Sequence, residues 1–320
     1  MLRRLLLLAV ALVVVGGAGL AGWWFWWRPG AQVADVARPD IPFAPLEDTS
    51  LEDPDNPRKV FRVDLARVEH DVPLTRADLM KLTPQNVLTL EQEEIDQIYG
   101  RLTAGPVPDG PYRGDLFFAR GQSLRPRLEE IVGGLEGRLV GAKIELLEEV
   151  GRSLWKGKIF YRDQRVLRNF IEDFKPLEPL IDDPDALMTA EVPRGGLLGR
   201  IVPTTSVWQL FPAKLYCGQS LLDGRRESVI IDYWFTDEIE GYQASPDSLA
   251  GRGGLRIRDE IRMIRPGFYL GRAYANRMFL LNFSLYSPEV ADADATAFAA
   301  GEPVEEDCWA GEQVRQAGAG

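Results

Sequence analysis

The sequence predicts a mainly β protein, with minor α structure, whose core is an antiparallel barrel preceded by one or two helices. Beyond residue 143 the chain consists of runs that alternate like strands, separated by short turns such as Asp223–Arg226. Consecutive strands with short turns form an antiparallel meander, and an open meander leaves edges that invite aggregation. We therefore expect the meander to close into a barrel, with its strands over about 110–286.

Length and composition indicate one main domain. At 320 residues, with 45% hydrophobic and 27% charged residues, the chain can bury one full core and carry appendages. Its net charge of -11 at pH 7 repels phosphate backbones, so we expect no nucleic-acid partner. The single exported domain is expected over 59–311, followed by a disordered tail over 312–320.

Residues 1–28 are predicted to be a transmembrane anchor. Residues 5–27 are uncharged and, at about 1.5 Å per residue, long enough to cross a hydrocarbon core of about 30 Å. Arg3 and Arg4 hold the amino end in the cytoplasm, and the tryptophans that end the run fit the far interface. This orientation predicts a single-pass protein of the bacterial inner membrane with its C-terminal domain in the periplasm. The alternative, a signal peptide cleaved within 17–22, gives the same compartment.

An extended tether, a strand and a helix are expected between the anchor and the barrel. Residues 29–58 are rich in proline and acid and show no apolar period, which predicts an extended tether. Residues 60–68 alternate and predict an early strand. Further along the chain, Ile95, Ile98 and Leu102 are spaced like the residues of one helix face and predict a helix.

The two cysteines of the chain, Cys217 and Cys308, both lie in the exported part. An oxidising compartment and an even count favour one disulfide between them, with two unpaired buried thiols as the alternative. Two cysteines and a single histidine, His70, make a zinc site improbable. We find no motif for another metal or for a cofactor, and we expect none.

Several short motifs along the predicted barrel carry a family resemblance. They are Tyr112-x-Gly114, Trp155-x-Gly-Lys-x-Phe160, the Asp232-Tyr233 strand, Asp259-Glu-Ile-Arg262 and Pro266-Gly-x-Tyr-Leu-Gly271. In this order they resemble those of uncharacterised bacterial lipocalin-like, or calycin-type, barrel proteins with a GXWXG-type signature. The match covers about 105–286, and Ser153 stands where the first glycine of the signature is expected. The resemblance implies a concave site inside the barrel that holds one small apolar ligand.

Two acids occupy positions where apolar side chains are expected. In the run from Leu255 to Ile264, Asp259 falls on the apolar side with Ile257 and Ile261. Asp232 stands among the apolar residues of ESVIIDYWF. An unpaired buried carboxylate costs several kcal/mol or takes up a proton, so both acids need partners. The candidate partners are Lys158, Lys214, Tyr216 and Asn282.

These residues define the predicted ligand site. Its members are Trp155, Lys158, Lys214, Tyr216, Asp232, Trp234, Asp259, Tyr269 and Asn282. The expected function is binding of a small apolar or amphipathic, lipid-like molecule by a membrane-anchored periplasmic protein, and no residue is assigned as catalytic. One alternative is that both acids are satisfied structural groups. Others are an isomerase, lyase or hydrolase with Asp232 and Asp259 as acid and base, and an accessory subunit contacted through its anchor.

The opposite face of the Asp259 strand carries an excess of arginine. Arg256, Arg258 and Arg262 alternate with the apolar positions. We expect them to pair with acids of a neighbouring strand, the alternative being contact with anionic lipid headgroups.

Overall fold

The computed structural model describes residues 36–45, 63–117, 154–194 and 203–312. The predicted anchor and the last eight residues of the predicted tail lie outside these ranges. Among the described helices, none is both long and apolar enough to cross a membrane.

The described residues form five α-helices and nine strands. The helices are α1 (Leu65–Asp71), α2 (Arg76–Lys81), α3 (Gln92–Arg101), α4 (Ala244–Asp247) and α5 (Pro288–Ala299). The strands are β1 (Gly110–Phe117), β2 (Trp155–Tyr161), β3 (Val166–Ile171), β4 (Thr189–Pro193), β5 (Thr204–Gln219), β6 (Glu227–Asp232), β7 (Ile257–Arg265), β8 (Phe268–Ala275) and β9 (Met278–Tyr286). Short 3₁₀ turns lie at Asn86–Thr89, Arg162–Gln164, Glu178–Leu180 and Pro184–Ala186.

Eight of the strands close into an antiparallel barrel, which confirms that the protein is mainly β with an antiparallel barrel as its core. Their hydrogen-bonded order is β3-β2-β1-β9-β8-β7-β6-β5, and β5 pairs back with β3. The long strand β5 makes this closure possible, because Trp208–Lys214 pairs with β3 and Lys214–Gln219 pairs with β6. Its first residues, Thr204–Trp208, pair with the short strand β4 instead.

The two ends of the barrel differ. The β2–β3, β5–β6 and β7–β8 turns lie at one end, where the disulfide between Cys217 of β5 and Cys308 of the tail is found. The sulfurs are 2.09 Å apart, so the predicted disulfide is confirmed. We call this end the disulfide end. The opposite end, where β2 begins at Trp155, is called the Trp155 end.

Side chains from all eight barrel strands meet in one interior core. Alternation along each strand directs every second residue inward, as for Ile261 and Met263 of β7. The buried strand members of this core are Tyr112, Phe160, Leu167, Ala213, Leu215, Val229, Ile231, Ile261, Met263, Tyr269, Ala273, Phe283 and Leu285. Large aromatic rings fill its disulfide half, where Tyr112 lies edge-on to Phe160 and Tyr269 with ring centroids 5.6 and 5.7 Å apart.

Among the described residues, three α-helices precede the barrel, where the sequence predicts one or two. The early strand predicted over 60–68 is wrong, because α1 begins at Leu65. The carboxylate of Asp64 accepts hydrogen bonds from the backbone N–H groups of Ala66 and Arg67, which caps the first turn of α1. This cap outweighs the strand-like alternation of the sequence.

Residues 38–45, which fall within the predicted tether, contact the domain. Ile41 is buried in a second apolar core with Ile95 and Ile98 of α3, on the outer face of β7 and β8. The side-chain amide of Gln97 bonds both the N–H and the C=O of Ala44.

Candidate functional site

A buried ion pair lies inside the barrel, and it gives Asp259 the partner that a buried carboxylate requires. Nζ of Lys158, on β2, is 3.0 Å from Oδ2 of Asp259, on β7. Both residues point inward because each lies two residues before a member of the interior core on the same strand, Phe160 on β2 and Ile261 on β7. Their side chains are 3% and 6% exposed, so the pair is almost fully removed from water.

Two further polar groups complete this cluster. Lys158 also donates to the hydroxyl of Tyr233 at 2.7 Å and to Oδ1 of Asn169 at 2.9 Å. The Tyr233 hydroxyl in turn donates to Asp259 at 3.3 Å. All three ammonium protons of Lys158 are therefore donated to protein groups. We call Lys158, Asn169, Tyr233 and Asp259 the interior polar cluster.

The charges of the pair stabilise each other against burial. Desolvation acts to lower the pKa of Lys158, but the neighbouring Tyr233 and Asp259 outweigh it and hold the pKa above its ordinary value. Burial raises the pKa of Asp259, and Lys158 and the Tyr233 hydroxyl oppose that rise. The ring centroids of Trp155, Tyr233 and Phe283 lie 5.3–5.6 Å from Nζ of Lys158, and these rings add cation–π attraction. Lys158 is accordingly a charged, fully bonded ammonium.

The interior polar cluster also holds Trp155 in position. Nε1 of Trp155 donates to Oδ1 of Asn169 at 2.8 Å, the same oxygen that Lys158 bonds. The ring lies directly over Gly114 of β1, where a Cβ atom would come within 2.1 Å of the indole. Glycine at position 114 is thus required for this ring position.

Half-buried apolar side chains surround the Trp155 end. They are Leu116, Trp155, Phe211, Ala250, Ile257 and Leu281, and all of them contact the interior core. At the disulfide end, by contrast, Ala104 and Val107 are fully buried and cover the core. Among the residues that the structure describes, the Trp155 end is therefore the less enclosed end of the barrel.

A cavity opens in the barrel wall at this end. β1 and β2 pair only as far as Arg113 and Gly157, where β2 carries a bulge, while β1 continues along β9 to Phe117. Within the described ranges, this gap forms a cavity of about 350 Å³, lined by Leu88, Gly114, Asp115, Leu116, Phe117, Trp155 and Lys156. Its volume falls within the range of small-molecule sites, about 300–1,000 Å³.

The β6–β7 connection covers part of the Trp155 end and is anchored by Asp247. Its carboxylate accepts from the backbone N–H of Phe211 at 2.7 Å and from that of Gln243 at 2.9 Å. Phe211 has a φ of 49° at the register shift between β3 and β5, so Asp247 stabilises an irregular point of the barrel wall. Burial raises the pKa of Asp247 to about 6, against the effect of these two bonds.

This raised pKa predicts a pH dependence. The folded state holds the Asp247 proton more tightly than the unfolded state, so this residue favours folding at low pH, and that contribution is lost as pH rises from about 4 to 6. Between pH 4 and pH 7 the free energy of unfolding of the wild type, relative to Asp247→Asn, should fall by about 2–3 kcal/mol. Urea denaturation at several pH values measures it, and a constant difference would contradict it.

The predicted ligand-site residues do not lie together. Trp155, Lys158 and Asp259 meet inside the barrel, and Tyr269 lies inside at the disulfide end. The other five predicted members lie on the outer face or beyond the strand ends: Lys214, Tyr216, Asp232, Trp234 and Asn282.

Asp232 and Asp259 lie on opposite faces of the barrel wall, contrary to their proposed pairing as acid and base. Ile231 and Tyr233 point inward, so Asp232 between them points outward. Its carboxylate accepts from the Tyr216 hydroxyl at 2.7 Å and from the backbone N–H of Trp234 at 2.8 Å. Because the residues on both sides of Asp232 are apolar, the sequence does not indicate which face of the strand Asp232 occupies.

Sequence reasoning missed Asn169, Tyr233 and Leu116 as members of the site. Asn169 sits at an inward position of VLRNFI, and the only signal for it is a polar residue in an otherwise apolar alternation, the same signal that identified Asp259. Leu116 carries no signal, because its role depends on the gap between β1 and β2.

The outer-face arginines do not have the acidic partners expected on a neighbouring strand. Arg262 contacts an acid of the β5–β6 turn, and Arg258 contacts one of β7 itself. Arg256 forms no ion pair with a described residue, and its guanidinium lies 5.2 Å from the centroid of the Trp234 ring. Arg262 is fully buried beneath α3 and bonds Oδ2 of Asp223 in the β5–β6 turn at 3.2 Å. It also donates to Ser228 and to the backbone carbonyls of Tyr99, Asp223 and Arg226. Arg258 donates to the Gln219 carbonyl at 2.8 Å.

Metal binding has one geometric candidate among the described residues. Ligand atoms of Cys217, Glu227 and Cys308 lie within 4.8 Å of one another. Because the two sulfurs are joined in the disulfide, they are not thiolates and this group does not bind a metal.

Comparison of the chain with protein-family models, with curated proteins and with solved structures finds no match. The function proposed for this barrel therefore depends on its own geometry.

Proposed function

We propose that the protein binds a small apolar or amphipathic, lipid-like molecule at the Trp155 end of its barrel. The observation that carries the proposal is the cavity of about 350 Å³ between β1 and β2, with Leu116 and Trp155 in its lining. The apolar side chains of the lining favour an apolar part in the ligand, because covering them removes apolar surface from water. The charges of Asp115 and Lys156 in the same lining favour a polar group beside it.

The interior polar cluster has a supporting role in this proposal. Lys158 has no ammonium proton left to donate, so it is not the group that recognises the ligand. Through Asn169 the cluster holds the indole of Trp155 over Gly114, which keeps one wall of the cavity rigid. Such preorganisation lowers the entropy cost of binding.

The membrane anchor and the periplasmic location belong to the same proposal. The uncharged run over 5–27 supports an anchor, and the disulfide supports export, because such bonds persist in oxidising compartments. A domain held beside the inner membrane meets amphipathic molecules at high local concentration. The net charge of -11 gives no support to a nucleic-acid partner.

The proposal predicts a bound molecule that depends on the cavity. The full-length chain is purified from its native membrane, and small molecules are extracted and identified by mass spectrometry. The wild type should yield one apolar or amphipathic species in near-stoichiometric amount. Leu116→Trp fills the cavity and should lower the yield at least about tenfold, equivalent to about 1.4 kcal/mol in affinity.

Trp309→Phe is the matched control, because Trp309 is an exposed tryptophan next to Cys308, at the disulfide end. It should retain the bound molecule, and lipids carried by the anchor should be equal in all three proteins. Identical extracts from the wild type and from Leu116→Trp would refute binding in this cavity.

A further inference from the structure

A second concave site lies at the disulfide end of the barrel, away from the cavity beside Trp155. It is a cleft of about 610 Å³ between α5 and the barrel rim, and we call it the rim cleft. Its lining includes Tyr112 of β1, Arg162 of the β2–β3 turn and Asp109 before β1. Asp294 and Phe298 of α5 and Val304 of the tail form the facing wall.

The facing wall is firmly attached, so the rim cleft is preformed. Gly267, in the β7–β8 turn at a φ of 75°, has no side chain, and the backbone of Ala291 in α5 lies against it. The Gly267 carbonyl accepts from the N–H of Ser287, just before α5. Near the other end of α5, Arg76 donates to the carbonyls of Phe298 and Glu302.

Tyr112 brings an unpaired donor to the rim cleft. The residue is only 2% exposed, and its ring is packed edge-on against Phe160 and Tyr269. Its hydroxyl forms no hydrogen bond to any residue that the structure describes, whereas that of Tyr269 donates to the Pro106 carbonyl at 2.8 Å. Burial raises the pKa of Tyr112 to about 12, Arg162 opposes the rise, and Asp109 adds to it. The hydroxyl is therefore protonated at pH 7 and free to donate.

Arg162 brings a second unpaired donor. Its Nε is buried and has no acceptor, and its guanidinium forms no ion pair with any described residue. Of its donors, only the backbone N–H bonds a described residue, Oδ1 of Asp109 at 3.1 Å. A buried donor without an acceptor destabilises the folded protein, and a guanidinium fork is suited to a carboxylate. Two unpaired donors in one cleft thus point to an anionic or strongly accepting group of a ligand.

The other charged residues that line the rim cleft are acidic. Asp109, Asp294, Glu302 and Glu305 line it, against the single cation of Arg162. No hydrogen bond or ion pair among the described residues uses the carboxylates of Asp294 and Glu305. A simple anion would be repelled by this acidic surround, and a simple amine would leave the two donors unpaired. Phe298 and Val304 supply apolar wall between the two kinds of group.

We propose that the rim cleft binds a small molecule of the amino-acid class, whose carboxylate accepts from Arg162 and Tyr112 and whose cationic amine faces Asp109 and Asp294. The net negative charge of the cleft favours a ligand with more amine than carboxylate, such as a basic amino acid. This site is separate from the cavity beside Trp155 and does not depend on the function proposed for that cavity.

Isothermal titration calorimetry of the full-length chain tests the proposal with L-lysine and with cadaverine, which is lysine without its carboxylate. L-lysine should bind, and cadaverine should bind at least about tenfold more weakly, because it makes no charge-assisted bond to Arg162. Arg162→Gln should weaken L-lysine binding at least about tenfold and leave cadaverine unchanged. Tyr112→Phe, which removes only the unpaired hydroxyl, should also weaken L-lysine binding.

Arg165→Gln is the matched control, because Arg165 is an exposed arginine of the same turn and is not part of the cleft lining. It should bind L-lysine like the wild type, and so should Leu116→Trp, whose substitution lies at the other end of the barrel. Thermal unfolding of each variant confirms that it is folded, and Arg162→Lys replaces Arg162→Gln if the latter is not. Equal affinity for L-lysine and cadaverine, equal effects of Arg162→Gln and Arg165→Gln, or no heat with about 10 mM L-lysine would each overturn the proposal.

Discussion

Replacement of Lys158 by methionine is expected to destabilise the folded protein by about 3–5 kcal/mol. Methionine fills a similar volume but leaves the carboxylate of Asp259 buried without its cation, with only the Tyr233 hydroxyl as a donor. Asp259→Asn should cost a similar amount, because it leaves the ammonium of Lys158 buried and unpaired. Urea denaturation of the wild type and of each variant measures the loss.

The combination Lys158→Met with Asp259→Leu distinguishes a buried ion pair from two independent contacts. Removing both charges leaves no uncompensated charge, so the double variant should be no less stable than Lys158→Met alone or Asp259→Leu alone, the two single variants of the cycle. Lys156→Met is the control: Lys156 is a half-exposed lysine of the same strand with no ion pair to a described residue, and its loss should cost under about 1 kcal/mol. Additive losses in the double variant would show that the two side chains are not coupled.

Arg262→Met is expected to destabilise the protein by about 4 kcal/mol or more. Arg262 donates five hydrogen bonds from a fully buried position, to two side chains and three backbone carbonyls. Its guanidinium also lies 4.9 Å from the centroid of the Tyr99 ring on α3. Methionine satisfies none of these acceptors, and each buried acceptor left unpaired costs about 1–3 kcal/mol.

Arg258→Met is the matched control, four residues earlier on the same face of β7. The Arg258 side chain is 22% exposed and its contact with Glu260 is 3.5 Å long, so water replaces what is lost and the cost should stay under about 1 kcal/mol. Hydrogen exchange should show α3 opening more readily in Arg262→Met, because Arg262 bonds the Tyr99 carbonyl of that helix. Equal losses for the two variants would contradict the role assigned to Arg262.

Most of the barrel could be predicted from the sequence because strand alternation is a local property. The alternation of β7 correctly directed Asp259 inward and Arg258 and Arg262 outward. It failed for Asp232, since every neighbour of that residue is apolar and the two faces of β6 look alike in sequence. Alternation also does not show what covers the outer face, where α3 covers Arg262 and Gln92 of α3 bonds Asn282.

The candidate site depends on contacts between distant segments, which no local pattern specifies. Lys158 and Asp259 are 101 residues apart in sequence, and Trp155 reaches Gly114 across the gap between β1 and β2. Tyr112 and Arg162 meet Asp294 at the disulfide end only because α5 returns across the β7–β8 turn.

The sequence by itself determined the antiparallel barrel, the disulfide and the inward position of Asp259, since each depends on residue type and spacing along the chain. Only the tertiary structure decided which group neutralises Asp259, that Asp232 faces outward, and that the barrel has a cavity beside Trp155 and a separate cleft at its disulfide end. The physical reason is that burial and charge pairing arise between strands and helices far apart in the chain, whereas alternation is set within a single strand.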